Sequence, residues 1–147
     1  MSIENDAPDF RERVNHEWYM LGAHQGLFIT SKPQFLIAVR DVENDRPDMA
    51  WWARVQLQTD WDFAGSGAEA GVTGYSWGRP EFIMLSLNGN VVVQGSQGQK
   101  WTDIVCLRDA YHITPLREMG MKLSEDASIP EETRGALSRW LEHTAAR

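Results

Sequence analysis

The sequence has very little cysteine and very little lysine. Cys106 is the single cysteine among 147 residues, so no disulfide can form within the chain. A chain without disulfides is typical of a reducing compartment. Only three lysines occur, they are scattered, and 14 basic residues face 21 acidic ones for a formal net charge of −7. Because non-specific nucleic-acid binding needs clustered cations, we expect no nucleic-acid partner.

Long apolar runs are also missing. No stretch approaches the roughly 20 residues that a helix needs to cross a bilayer. The first ten residues are polar and acidic, without the cationic and apolar character of a signal peptide. We therefore expect no membrane partner and a cytoplasmic location.

Specific catalytic and cofactor motifs are absent too. The sequence contains no phosphate-binding P-loop, no His-Glu-x-x-His helix and no Gly-x-Ser-x-Gly elbow. Cys106 alone cannot build a cysteine zinc site, and its apolar neighbours favour a buried thiol over a nucleophile activated by His112. We expect no metal and no cofactor, and the pattern favours binding over catalysis.

The residue type in excess is tryptophan, with seven in the chain. Each buries roughly 200 Å² of surface, so these rings should dominate a core or a binding surface. Residues 1–147 show no linker or repeat and predict a single α+β domain. We expect an N-terminal helix over 8–22, with an apolar stripe of Phe10, Val14, Trp18 and Leu21. A mostly antiparallel sheet of five or six strands should follow, with C-terminal helices packed on one face.

The strand predictions rest on alternation and turn signals. Residues 27–30 and 34–42 read as two strands, and 43–48 as a loop. The Asn88-Gly89 pair predicts a type I′ hairpin between 82–87 and 90–94; since both of its faces are apolar, we expect it to be central and covered on both sides. Residues 101–109 are ambiguous: the alternation favours a buried strand, and a helix stays open as nearly equal. Short helices are expected from Thr114 to near Gly120 and over 130–145, the latter with a Ser128/Glu131 capping box.

The strand over 51–63 has the clearest pattern. Its odd positions are mostly apolar and its even positions mostly polar, which predicts one buried face and one solvated face. Trp52 breaks the pattern, because it falls on the polar face with Arg54, Asp60 and Asp62. Two interpretations stay open: Trp52 is an exposed recognition residue, or a helix covers this face.

A glycine-rich segment, 64–78, follows this strand and predicts a flexible loop rather than a phosphate cradle. It brings Tyr75, Trp77 and Arg79 into proximity in sequence. Trp, Tyr and Arg dominate binding hot spots. We therefore expect a partner-binding surface made of Trp52, Arg54, Asp60, Asp62, Tyr75, Trp77 and Arg79.

Small size and acidity resemble those of bacterial proteins that neutralise a toxin or nuclease by binding it. We therefore expect a protein-binding module, such as an inhibitor, immunity protein or antitoxin, with a basic protein partner. The alternative is a small ligand-binding domain or enzyme, with Asp60 or Asp62 as acid–base groups acting on a sugar or nucleotide in an aromatic pocket and Arg79 on an anionic group. A third hypothesis is a structural subunit of a larger assembly.

Overall fold

A computed structural model describes residues 1–41, 46–75 and 79–145, with side chains outside 40–51, 75–79 and 143–147. The chain divides into two compact units, Met1–Arg108 and Asp109–Arg147. Their membership of a single domain, and the packing of the C-terminal helices on the sheet, stay predictions. The first unit contains helix α1 (Phe10–Gln25) and strands β1 (Ser2–Glu4), β2 (Gln34–Asp41), β3 (Arg46–Gln56), β4 (Gly74–Tyr75), β5 (Arg79–Pro80), β6 (Phe82–Leu85), β7 (Val91–Gln97) and β8 (Trp101–Arg108).

Six of these strands form one antiparallel sheet in the order β1-β8-β7-β6-β2-β3. Strands β4 and β5 pair separately. The hairpin β6–β7 is central, as predicted. The segment 101–108 is a strand, which resolves its ambiguity in favour of the sheet. The α+β class, the N-terminal helix and the antiparallel sheet are thus confirmed.

Helix α1 lies on one face of the sheet, which we call the core face. Its predicted apolar stripe is real, since Val14 and Trp18 are completely buried. The helix continues past Gly22 and ends at Gly26, whose φ of +82° is in the left-handed region that favours glycine. The Trp18 ring contacts those of Phe28 and Phe35. Much of the apolar core of the first unit is therefore built around this one side chain.

The opposite side of the sheet, the outer face, carries no helix among the described residues of the first unit. Ile83 on β6 is 42% exposed there, so the predicted coverage of the central hairpin on both sides is wrong. Alternation gives each strand an apolar core side. Apolar residues on the opposite side of the same strands do not require that a layer of helices cover that side.

Two local predictions near the start of the sheet are wrong. Residues 27–30 form no strand, since only an isolated bridge joins Ile29 to Lys32; the Leu27 amide donates to Gly22 O instead, and Leu27 turns into the core. Of the predicted loop 43–48, residues 46–48 belong to β3, and 43–45 lie outside the described residues.

The long strand predicted over 51–63 ends early, at Gln56. The chain leaves the sheet and forms a π-helical turn at Phe63–Gly67, capped by Asp62. The alternation beyond Gln56 has another cause: Trp61 and Phe63 both pack their rings against Trp18. Segment 64–78 is accordingly not one flexible loop, because it contains this turn and, at 74–75, strand β4; residues 76–78 lie outside the description.

The predicted β6–β7 hairpin is present, but its turn is not type I′. Gly89 has a φ of +75°, whereas Asn88 does not adopt positive φ, and type I′ needs both. The Gly89 amide donates to Ser86 O, and Asn88 Oδ1 accepts from the Ser86 hydroxyl and the Asn90 amide. These side-chain hydrogen bonds stabilise a longer connection.

The second unit contains a 3-10 turn (Ala110–His112) and helices α2 (Thr114–Glu125) and α3 (Glu131–Ala145), which contact each other. Helix α2 does not stop at Gly120, because Gly120 lies in its interface with α3: a β-carbon there would be 3.0 Å from the Trp140 ring. The predicted start of α3 is confirmed within one residue. The Ser128 hydroxyl donates to Asp126 rather than forming a capping hydrogen bond.

Candidate functional site

The structure divides the predicted binding surface between the two faces of the sheet. Trp52 and Arg54 lie on the outer face, opposite Ala38 and Leu36 of β2. Asp60 and Asp62 follow the end of β3 and line a cavity on the core side. The predicted grouping assumed that the strand continued to residue 63, and its early end separates these residues.

The remaining predicted residues lie on the short β4–β5 pair or beside it. Tyr75 and Arg79 are backbone partners in that pair. Their side chains, and Trp77 as a whole, lie outside the described part of the structure.

The outer face has a continuous row of apolar side chains across four strands. Leu36 pairs with Leu85, Leu85 with Val92, and Val92 with Leu107. Exposed large apolar side chains on this face include Leu107 of the row itself and, beside the row, Trp52, Ile83, Trp101 and Val105. Trp52 is 50% exposed, so the interpretation in which it is buried under a helix does not hold. Apolar surface of this kind is typical of an interaction site.

Polar groups border this apolar row at both ends. At the β2–β3 end, Arg54 donates to Gln34 Oε1 at 2.7 Å, and Gln34 Nε2 donates to Gln56 Oε1 at 2.7 Å. At the β1–β8 end lie the carboxylates of Glu4 and Asp103, the latter accepting from the Ser2 hydroxyl. An apolar centre with a polar border is the usual arrangement of a protein interface.

The core side of the first unit contains a cavity of about 350 Å³. It lies between α1, the core face of β2 and β3, and segment 57–73. The described residues of its wall include the aromatic rings of Trp18, Phe35, Trp61 and Phe63. Apart from threonine and glutamine, the polar side chains of this described part are Asp60 and Asp62.

Asp62 is fully engaged by its neighbours. Its carboxylate accepts hydrogen bonds from the Arg11 guanidinium, Asn15 Nδ2, the backbone amides of Gly65 and Ser66, and the Ser66 hydroxyl. The Arg11 hydrogen bond is the main reason that the pKa of Asp62 lies far below its ordinary value. A carboxylate so difficult to protonate is suited to capping and poorly suited to act as a general acid or base.

The same contacts account for the glycine-rich sequence that suggested a phosphate cradle. The amides of Gly65 and Ser66 do converge on an anion, but that anion is the chain's own Asp62 carboxylate. A β-carbon on Gly65 would clash with the Arg11 guanidinium. Glycine at this position lets the Arg11 guanidinium cross the turn and reach Asp62 without being displaced.

Asp60, by contrast, is exposed and makes no hydrogen bond or ion pair with the described residues. Asp60 lines the cavity. Asp60 and Asp62 therefore differ in kind: Asp62 holds the turn together, and Asp60 leaves a free carboxylate beside aromatic rings.

Sequence reasoning missed several residues of this region. Trp18 and Phe35 were recognised only as apolar positions, and Arg11 and Asn15 were not singled out. The stripe of α1 could have indicated Trp18, but nothing local connects Arg11 to Asp62, which lies 51 positions away.

Other candidate groups offer little chemistry. Burial raises the pKa of the Cys106 thiol, which disfavours the nucleophilic thiolate. Within the described ranges there is no cluster of three or more His, Cys, Asp or Glu that could hold a metal ion. No helix in the same ranges has both the length and the apolar character needed to cross a membrane.

Comparison with protein-family models, with curated proteins and with solved structures finds no match to this chain. The outer face and the cavity are therefore the two features of this structure that indicate a function.

Proposed function

We propose that the protein is a small acidic protein-binding module that acts by direct binding of a basic partner through its outer face. An inhibitor or immunity protein that neutralises a toxin would work in this way. The observation that carries the proposal is the half-exposed Trp52 beside a continuous apolar row, on a sheet face that no helix covers among the described residues of the first unit. Tryptophan at such a position is the residue type most enriched in binding hot spots.

Charge supports the choice of a basic partner. The net charge of −7 attracts cationic proteins over distances comparable to the Debye length, which speeds encounter. Glu4 and Asp103 place carboxylates at one end of the outer face. A cytoplasmic location suits this role and the single cysteine of the chain.

The enzyme alternative receives less support. Asp62, one of its two proposed acid–base groups, is committed to Arg11 and to the π-helical turn. Among the described residues that line the cavity, the only titratable group besides Asp60 is Asp62 itself. The cavity supports ligand binding rather than acid–base catalysis.

The test is affinity capture of partners from the source cytosol, followed by native mass spectrometry. The wild type should retain a stoichiometric basic protein, and Trp52→Ala should weaken its binding by about 30-fold, corresponding to about 2 kcal/mol. Met20→Ala is the matched control, because Met20 is equally exposed but lies on α1. It should retain the partner fully.

Two results would contradict the proposal. In one, Trp52→Ala and Leu107→Ala retain the captured protein as well as the wild type, so that the outer face is not the interface. In the other, the protein recovered on this face is a second copy of the same chain, which would favour the structural-subunit hypothesis.

A further inference from the structure

The cavity on the core side has walls that are already fixed in the structure. The Trp18 ring stacks on Phe63 with centroids 4.8 Å apart and meets Trp61 edge-on at 5.3 Å. Trp18 Nε1 also donates to Met84 Sδ at 3.3 Å. A ligand that enters would not need to order these side chains, so little of its binding free energy would be lost in reorganisation.

The size and lining of the cavity limit what can bind. A volume of about 350 Å³ is near the lower end for small-molecule sites, about 300–1,000 Å³. The lining is mostly apolar and aromatic. The cavity therefore suits a molecule with a single small ring system rather than an oligosaccharide or a dinucleotide.

The charges of the lining select the sign of the ligand. Among the described residues that line the cavity there are two carboxylates and no lysine, arginine or histidine. Arg11 compensates Asp62, which leaves the charge of Asp60 uncompensated. A phosphate or carboxylate would meet no cation here, whereas a cation would meet Asp60 and the electron-rich faces of aromatic rings.

We propose that this cavity binds a small aromatic amine, with its ring against Trp61 and Val72 on the cavity wall and its ammonium group paired with Asp60. This site is separate from the proposed protein-binding surface, because the cavity lies on the core side and Trp52 lies on the outer face. It also differs from a nucleotide site, since the described lining residues offer no cation to a phosphate.

The experiment compares three probes of nearly the same shape and different charge: 2-phenylethylamine, 2-phenylethanol and phenylacetate. Titrations of ¹⁵N-labelled full-length protein are followed through the indole N–H signals, with Trp61→Phe used to assign that of Trp61. We expect the amine to shift the Trp18 and Trp61 signals with a dissociation constant of about 1 mM or below. The alcohol should bind several-fold more weakly and phenylacetate weaker still.

Matched variants test the role of the carboxylate. Asp60→Asn should weaken the amine by about 3-fold, the effect expected of an exposed ion pair, and leave the alcohol unchanged. Glu12→Gln removes an exposed carboxylate from α1 and should change neither. Val72→Trp, on the cavity wall, should abolish binding of all probes while the thermal unfolding midpoint stays close to that of the wild type.

Several outcomes would overturn the proposal. They are the absence of indole shifts with every probe at millimolar concentration, phenylacetate binding as tightly as the amine, and amine affinity that is unaffected by Asp60→Asn. Binding of a neutral sugar such as glucose in preference to the amine would overturn it as well. None of these results depends on whether Trp52 binds a protein.

Discussion

At the scale of single residues, Asp62 shows how one carboxylate can organise a segment. It joins α1 to the π-helical turn through Arg11 and Asn15, and it satisfies the amides of Gly65 and Ser66. An unpaired amide at a helix start would cost free energy if it were buried. The position of Trp61 and Phe63, on either side of Asp62, depends on this connection.

Replacement of Asp62 should therefore lower stability. Asp62→Ala is expected to cost about 1–2 kcal/mol of unfolding free energy, the upper range for loss of a capping side chain. The measurement is urea unfolding followed by circular dichroism at pH 7. Asp60→Ala, two positions away and without hydrogen bonds in the described structure, is the control and should change stability by less than about 0.5 kcal/mol.

The low pKa of Asp62 also predicts a pH dependence. Because its pKa is depressed in the folded state, its contribution is fully present above the unfolded value of about 3.9 and is lost as the pH falls below it. Wild-type stability should thus decline more between pH 5 and pH 2 than that of Asp62→Asn. Parallel pH profiles of the two proteins would show that Asp62 is not the group responsible.

Cys106 gives a further prediction at this scale. Burial raises its pKa and reduces the thiolate fraction at neutral pH. We expect a disulfide reagent such as DTNB to react with the native protein several-fold more slowly than with the urea-unfolded chain at pH 8. Equal rates in the two states would mean that the thiol is accessible and unperturbed.

At the scale of elements, the pairing of β6 with β7 depends on a glycine. Phe82 lies directly opposite Gly95, and its ring covers the glycine so closely that a β-carbon at 95 would clash with the Phe82 ring. The same ring meets Phe63 edge-on at 4.6 Å. Phe82 therefore cannot move away from Gly95 without disturbing the aromatic core.

Gly95→Ala should accordingly destabilise the protein by about 1–3 kcal/mol, as overpacking of a core does. Gly135→Ala is the matched control, because Gly135 lies inside α3 where a β-carbon meets only the Arg139 side chain at 3.4 Å. Alanine there should be neutral or stabilise the helix by up to about 1 kcal/mol. Thermal unfolding of both variants tests the contrast, which would fail if Gly95→Ala were as stable as the wild type.

The elements that sequence reasoning predicted well are those with local signals. Helix α1 has its 3–4 spacing, the β6–β7 hairpin has Asn88-Gly89, and α3 has its own stripe. The end of β3 was missed because Trp61 and Phe63 continue the alternation for a different reason, the packing of their rings against Trp18 more than 40 positions earlier. The cavity was missed for the same reason, since its wall comes from distant segments.

At the scale of the whole molecule, the apolar core is unevenly distributed along the chain. The cluster of buried apolar residues extends from Ile3 to Ile104. In the second unit, among residues 109–142, only Gly120 is buried. Isolated helices of 12 and 15 residues are marginal in water.

These facts predict how a divided chain behaves. A fragment of residues 1–108 should keep the antiparallel sheet and the near-ultraviolet signal of its buried tryptophans. A peptide of residues 109–147 should be mostly unfolded on its own. Circular dichroism and amide hydrogen exchange on both fragments measure this, and loss of the Trp18 environment in the longer fragment would contradict it.

The hydrogen bond between Trp18 Nε1 and Met84 Sδ has a practical consequence for following the folding of this protein. Met84 is buried beside Trp18, whereas Met1, Met20, Met119 and Met121 are exposed. Mild peroxide should convert the exposed thioethers to sulfoxides first and reach Met84 only when the core opens. The rise in mass of the peptide that contains Met84 would therefore report the rate at which the core opens.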